Sequence, residues 1–225
     1  MSNKSTTIEL VGHIVTLGDA AVGKTCVMHR FCDDMYNENM LATIGFTFSF
    51  EYSSNLPLLG MEFFQKTVII DNTEIVLQVW DTSGQERYKA ISPSFIKRAD
   101  VVLLTYSVDK RSSFEHVTSW VEQVKNHTTE DVCMILVGNK VDAEGRCVAF
   151  EEGEKLAKEL NIEFFETSAK ENINIEKVFM TAAKKVKEKL EDPVIPRRKT
   201  IKIEVPKEEE KEASKKQAQG GCCSS

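Results

Sequence analysis

The sequence has no uninterrupted apolar run of the roughly 18 residues that a transmembrane helix requires. Its apolar beginning is interrupted by Glu9, Gly12 and His13, so it does not resemble the apolar core of a secretory signal either. Basic residues are not in excess, since 29 Lys and Arg stand against 35 Asp and Glu, which argues against nucleic acid as a partner. The 6 cysteines form no Cys-x-x-Cys pair, which indicates free thiols in a reducing compartment. We therefore expect one cytosolic domain.

Short apolar runs alternate with amphipathic segments from residue 9 to about residue 190. Strands are predicted at 8–17, 101–108 and 132–138, with a hairpin over 66–80 that turns at Asp71-Asn72, and helices at 25–32, 112–125, 150–160 and 174–191. This alternation predicts a doubly wound α/β sheet, in which ligands bind beyond the carboxyl ends of the strands.

The chain divides into four parts by composition. Residues 1–8 form an N-terminal tail, 9–190 the folded domain, 191–221 a disordered linker and 222–225 a terminal motif. The linker segment PRRKTIK has the composition of a nuclear address, but we favour a solvated linker because the whole segment nearly balances its charges.

The segment GDAAVGKT follows the first strand and opens the first helix, which is the context that the phosphate-loop pattern requires. Its glycines let backbone N–H groups surround phosphates, its lysine adds a positive charge, and its threonine hydroxyl suits Mg²⁺. The predicted phosphate-binding residues are Gly18, Asp19, Ala20, Ala21, Val22, Gly23, Lys24 and Thr25.

A carboxylate on the Mg²⁺ side is predicted at the end of a second strand, in LQVWDTSGQE. Asp81 supplies this carboxylate, and Gly84 lets a backbone N–H approach the terminal phosphate. Gln85 is placed to orient an attacking water. Together with the phosphate loop, this segment predicts a nucleotide sensor.

Two further segments predict recognition of guanine. Asp142, in Asn139–Asp142 (NKVD), can accept hydrogen bonds from both N1–H and N2–H of guanine, whereas adenine would leave this buried acid unpaired. The segment Glu166–Lys170 (ETSAK) can present the backbone N–H of Ala169 to the guanine oxygen. The predicted base-binding residues are Asn139, Lys140, Asp142, Ser168, Ala169 and Lys170.

These four motifs, in this order and each after a strand, resemble the Ras superfamily of small GTPases and most closely the Rab family, over residues 9–190 and the last four. The resemblance implies the α/β fold of a P-loop small GTPase, with a six-stranded, mostly parallel sheet flanked by helices and a disordered C-terminal tail. It implies that Cys26 and Tyr36 contact the nucleotide and that Thr43 is the switch threonine. The implied catalytic residues are Gln85, Lys24 and Thr43, and the implied metal ligands are Thr25, Thr43 and Asp81.

The resemblance also implies a function. Such a protein hydrolyses GTP, cycles between GTP and GDP with Mg²⁺, and regulates vesicle traffic as a monomer on the cytoplasmic face of intracellular membranes, with a cytosolic pool. Its implied partners are a guanine-nucleotide exchange factor, a GTPase-activating protein, a GDP-dissociation inhibitor, a prenylation escort and transferase, and effectors. The alternatives are a pseudo-GTPase, in which an insert or Ser83 disables sensing, and a P-loop ATPase, which Asp142 disfavours.

Residues 45–59 are an extra segment by comparison with the Rab pattern. Both Gly45 and Gly60 could open the second strand, but the spacing to Trp80 fits Gly60 and is fifteen residues too long from Gly45. The segment could be a surface loop, an effector patch rich in aromatic residues, or a retained intron or mispredicted exon. We favour the last of these.

The chain ends in GGCCSS. In a Rab-like chain this ending resembles a signal for two geranylgeranyl groups, one each on Cys222 and Cys223. Two lipids are needed because a single chain gives only marginal anchoring. Farnesylation of Cys222 alone is the alternative, but Cys223-Ser224 is not an aliphatic pair.

Overall fold

The computed structural model describes residues 8–37, 62–82, 96–128, 132–192 and 199–201. Strands and helices alternate along the described chain, as predicted from its hydrophobic pattern. The strands are β1 (Ile8–Leu17), β2 (Glu62–Ile70), β3 (Thr73–Asp81), β4 (Val101–Ser107), β5 (Cys133–Asn139), β6 (Glu163–Glu166) and β7 (Lys199–Ile201). The helices are α1 (Lys24–Asp33), α2 (Arg111–Glu115), α3 (Val117–His127), α4 (Phe150–Leu160) and α5 (Ile175–Glu191).

Six of these strands lie side by side in the order β2-β3-β1-β4-β5-β6. Only β2 is antiparallel to its neighbour within this row; the other pairs are parallel. Every side chain of β4, near the middle of the row, is buried. A continuous apolar strand of this kind is typical of a parallel sheet covered on both faces. The predicted six-stranded, mostly parallel sheet is confirmed.

Helices cover both faces of the sheet. On one face α1 and α5 pack over a core that includes Phe31 and Phe179, whose rings stack with centroids 3.9 Å apart. On the other face α3 and α4 cover a second core, which contains Trp120 and Tyr106. Buried residues of α5 recur three or four positions apart, which gives that helix one apolar face. The doubly wound arrangement brings the loops after β1, β3, β5 and β6 to one edge.

The hairpin of β2 and β3 turns at Asp71-Asn72, as predicted. Both turn residues have positive φ, 47° and 62°, which matches the twist of a tight two-residue hairpin. The register pairs Phe63 with Trp80 and Ile70 with Thr73. The strand that pairs with β3 is therefore the one that follows Gly60, and the extra segment 45–59 lies outside the described residues.

Two details differ from the sequence predictions. The helix predicted over 112–125 is two helices that meet at His116. Within the predicted linker 191–221, Glu191 belongs to α5, and the short strand β7 pairs antiparallel with Ile8–Leu10. Since β4 pairs with β1 only from Ile14 onward, the first residues of β1 leave a free edge, and backbone pairing there needs few apolar side chains. No helix within the described residues is long and apolar enough to cross a membrane.

Candidate functional site

The phosphate loop connects β1 to α1 and has the backbone conformation that its glycines permit. Gly18 and Gly23 have φ of 145° and 93°, in the region that favours glycine. A Cβ on Gly18 would lie 2.0 Å from the carbonyl oxygen of Thr105, and one on Gly23 would lie 2.4 Å from Nδ2 of Asn139. Any larger residue at either position would therefore displace the loop.

Lys24 begins α1 and lies beneath the loop. Its Nζ donates to the carbonyl oxygens of Gly18 and Asp19, at 2.9 and 2.8 Å. Burial lowers the pKa of the ammonium group, while the negative charges of Asp81 and Asp19 raise it. A buried cation at the N-terminus of a helix offers a favourable position for phosphate oxygens, because both the charge and the free N–H groups attract anions.

Thr25 and Asp81 meet although they come from distant parts of the sequence. Thr25 Oγ1 donates to Asp81 Oδ2, and Thr16 Oγ1 donates to Asp81 Oδ1 at 3.3 Å. Asp81 is fully buried, so these hydrogen bonds fix its carboxylate. A hydroxyl and a carboxylate in contact form the hard oxygen set that suits Mg²⁺. The residues present therefore fit the predicted metal.

Asn139 links the phosphate loop to the two predicted base-binding segments. Its Nδ2 donates to the carbonyl oxygen of Val22 at 2.9 Å, and its Oδ1 accepts from Thr167 Oγ1 at 3.1 Å. The backbone N–H of Val141 donates to the carbonyl oxygen of Thr167 at 3.1 Å. Asn139 is buried, and its side chain joins the loops that follow β1, β5 and β6.

Asp142 lies beside Ser168 at the predicted base end of the site. Ser168 Oγ donates to Asp142 Oδ1 at 2.5 Å and accepts from the backbone N–H of Glu171 at 2.9 Å. Asp142 is exposed, because it lies on a loop beyond β5, and Ser168 fixes one of its oxygens. The sequence predicts that this acid is covered when a base binds. The free side of the carboxylate can receive the edge of a base.

Five other predicted residues lie around the same sheet edge. Tyr36 follows α1, with the guanidinium carbon of Arg30 5.9 Å from its ring centroid. Burial raises the pKa of the Cys26 thiol, which keeps it protonated. Lys140 has a positive φ of 66°, and its Nζ lies 3.9 Å from Asp109 Oδ2. Ala169 is buried and Lys170 is exposed.

The sequence does not predict the side-chain contacts of Asp19 in the phosphate loop. Asp19 is held by Trp120, on α3, and by His116, between α2 and α3. Trp120 Nε1 lies 3.1 Å from Oδ1, and His116 Nδ1 lies 2.7 Å from Oδ2. Trp120 looked like an ordinary core residue of an amphipathic helix, and no local pattern marks a partner a hundred residues away. The predicted site residues Thr43, Gly84, Gln85, Cys222 and Cys223 lie outside the described residues.

The comparisons with known proteins agree with this arrangement. A family model described as "Ras family" matches residues 13–188. Rab-10 of Diplobatis ommata is 40% identical over 184 residues, which cover 81% of this chain and 84% of that protein. Rab-8A of Gallus gallus is 38% identical over 82% of this chain and 83% of its own length. RABE1d of Arabidopsis thaliana is 36% identical over 94% of this chain and 91% of its own length.

The family match and the relatives both cover the domain that carries the phosphate loop, the Thr25–Asp81 pair and the base-binding segments. The coverage is nearly equal in both directions, so the likeness extends over whole proteins rather than over one shared motif. This chain therefore belongs to the Rab group of the Ras family of small GTPases, and it is a GTP hydrolase of membrane trafficking that binds GTP and GDP with Mg²⁺.

Proposed function

We propose that this protein is a membrane-anchored switch, which recruits effectors while it holds GTP and releases them after hydrolysis to GDP. The observation that carries the proposal is that the phosphate loop, the Thr25–Asp81 oxygen pair and the Asp142–Ser168 pair meet at one edge of the sheet. A nucleotide bound there would connect the described core to the segment that carries Thr43.

At the phosphate end, Lys24 is proposed to contact the outer phosphates, and Thr25 and Thr43 to ligate Mg²⁺ with Asp81 behind a water. When bound, Mg²⁺ neutralises charge on the phosphates. Thr43 can join this set only when a γ-phosphate is present, which makes it the residue that distinguishes GTP from GDP. The hydrogen bonds of Asp81 support this role, since they hold its carboxylate in place beforehand.

At the base end, Asp142 is proposed to read N1–H and N2–H of guanine, and the backbone N–H of Ala169 to read its oxygen. Asn139 keeps these segments in register with the phosphate loop, as its two hydrogen bonds indicate. Lys140 and Tyr36 are proposed to flank the base, with Cys26 beside the phosphates. A site built in this way rejects adenine because Asp142 would lose both partners.

Hydrolysis is proposed to depend on Gln85, which orients the attacking water. Replacing Gln85 with Leu removes this hydrogen-bonding group, and we expect single-turnover GTP hydrolysis to fall by about tenfold, the value of one hydrogen bond lost in the transition state. Gln123→Leu, on α3, is the matched control. An unchanged rate in Gln85→Leu would show that another group positions the water.

The proposed cycle requires partners. Unaided hydrolysis should be slow, and a GTPase-activating protein that supplies an arginine could add about 10³ to 10⁵ in rate. An exchange factor would reload GTP, and a GDP-dissociation inhibitor would extract the lipid-bearing GDP form into a cytosolic pool. A prenylation escort and transferase would modify Cys222 and Cys223, since two lipids are needed for stable anchoring.

Residues 45–59 follow the proposed switch threonine directly, and we expect them to weaken the preference for GTP, because a longer segment costs more entropy to order. A chain that lacks residues 45–59 should hold GTP about three- to tenfold more tightly, with GDP affinity little changed. A chain with 45–59 replaced by an equally long Gly/Ser segment separates length from sequence.

Dissociation of labelled GTP and GDP in Mg²⁺ measures the effect of the extra segment. If the full chain and the deletion behave alike, the segment is a tolerated loop and the entropic argument is wrong. If only the deletion holds GTP, the segment breaks the switch, and either the natural protein lacks it or the full chain is a pseudo-GTPase.

A further inference from the structure

Arg30, on α1, ties that helix to the turn that follows β6. Its Nε donates to the carbonyl oxygen of Ala169 at 2.8 Å, and one terminal nitrogen donates to the carbonyl oxygen of Lys170 at 3.3 Å. The donor and acceptor residues are more than a hundred positions apart in the sequence. Two consecutive carbonyl groups of the turn are therefore held by one planar guanidinium group.

The remaining terminal nitrogen of Arg30 is also engaged. It donates to the backbone carbonyl oxygen of Asp34 at 3.0 Å and to its carboxylate at 3.2 Å. Asp34 caps the C-terminus of α1 with a positive φ of 52°. Only 15% of the Arg30 side chain is exposed, so the guanidinium orientation is fixed from both sides. The Arg30 side chain is therefore held in one orientation and links α1 to the turn after β6.

The turn is fixed at its other end by Ser168, which donates to Asp142 and accepts from the N–H of Glu171. The N–H of Ala169 belongs to the peptide group that joins it to Ser168, and its carbonyl belongs to the next peptide group. Because peptide groups are planar, fixing the groups on both sides of the Ala169 Cα leaves the direction of its N–H little freedom. On one side, the Ser168 carbonyl oxygen accepts from the backbone N–H of Ile173 at 2.9 Å, which fixes the peptide group that carries the Ala169 N–H. On the other side, Arg30 holds the Ala169 carbonyl oxygen.

We propose that Arg30 is a positioning residue for recognition of the guanine oxygen: it holds the Ala169 carbonyl so that the Ala169 N–H points to the base. This inference rests on the proposed guanine site. Arg30 contacts the carbonyl oxygens of the turn, whereas the Ala169 N–H is the group proposed to contact the base. Its loss should therefore affect the part of the base that Ala169 reads, and leave the part that Asp142 reads unchanged.

Three nucleotides distinguish the proposed contact of Ala169 with the base from the proposed contact of Asp142. GDP offers both contacts, 6-thio-GDP replaces the oxygen with a sulfur that accepts hydrogen bonds weakly, and IDP lacks the N2 amino group. The affinities of all three are measured by competition with labelled GDP, on the full chain and on Arg30→Gln and Arg30→Lys. Arg111→Gln is the control, because Arg111 is an exposed arginine with its own carboxylate partner, Glu152, 2.6 Å away.

In Arg30→Gln we expect the preference for GDP over 6-thio-GDP to fall by about fivefold, the effect of one weakened hydrogen bond. The preference for GDP over IDP should stay within twofold of the parent. The preference of Arg30→Lys for GDP over 6-thio-GDP should lie between those of the parent and of Arg30→Gln, because an ammonium group cannot hold two carbonyls in the same plane. Arg111→Gln should match the parent in both ratios.

Equal weakening of all three nucleotides would overturn the inference, since that result indicates only a general loss of stability. Unchanged ratios in both Arg30 variants would overturn it as well. If the parent chain itself shows no preference for GDP over IDP, the proposed guanine site is wrong, which is a separate failure. The melting temperature of each variant with GDP bound shows that the folded site is being compared.

Discussion

Replacing Asp142 with Asn is expected to change the preferred base from guanine to xanthine. The carboxylate accepts two hydrogen bonds from guanine, whereas an asparagine amide accepts one and donates one, which matches N1–H and the oxygen at position 2 of xanthine. Ser168 supports this outcome, because its hydroxyl donates to Oδ1 and so leaves the amide nitrogen facing the base. A site that leaves one polar group of the bound base mismatched loses about 10²-fold or more in affinity.

Competition between labelled GDP and unlabelled GDP or XDP measures this change. We expect GDP affinity to fall by about 10²-fold in Asp142→Asn and XDP affinity to rise. Asp71→Asn is the matched control, because Asp71 lies in an exposed hairpin turn where asparagine tolerates the positive φ of 47°. If Asp142→Asn binds GDP as the parent does, Asp142 does not read the base.

Replacing Thr25 with Asn is expected to remove GTP binding more than GDP binding. The Thr25 hydroxyl contacts the buried carboxylate of Asp81, and the longer asparagine side chain cannot place an oxygen in the same position. GTP carries one more phosphate and depends more strongly on Mg²⁺ than GDP does. We therefore expect GTP affinity to fall by about 10²-fold and GDP affinity to fall by only about tenfold.

Equilibrium binding of both nucleotides at saturating Mg²⁺ measures the effect of Thr25→Asn. Thr118→Asn, on the exposed side of α3, is the control for the substitution itself. A Thr25 variant with the same GTP and GDP affinities as the parent would contradict the assignment of this hydroxyl to Mg²⁺. A variant that lost both nucleotides equally would indicate a damaged phosphate loop instead.

The fold could be predicted from the sequence because its strands and helices carry unambiguous periodicity. The fully apolar run of β4 and the Asp71-Asn72 turn both determine their structure locally. Strand β7 could not be predicted, since it forms only because β1 begins well before β4 and leaves an edge open. Such an edge is a property of the assembled sheet.

The candidate site was predictable where short motifs supply the chemistry, as in the phosphate loop around Lys24. The residues that position these motifs were not predictable. Arg30 and Trp120 look like ordinary members of amphipathic helices, and their partners, Ala169 and Asp19, lie more than a hundred residues away. Long-range contacts of this kind leave no local pattern, because they depend on how helices settle on the sheet.

The central claim is that this chain binds guanine nucleotides through Mg²⁺ at the edge of the sheet formed by the phosphate loop and the base-binding segments. Its most direct test is the release of labelled GDP from the full chain, first in Mg²⁺ with an excess of ATP or of GTP, and then with EDTA. The account predicts slow release in Mg²⁺, displacement by GTP but not by ATP, and release at least about tenfold faster in EDTA. Displacement by ATP, or release that EDTA leaves unchanged, would contradict it.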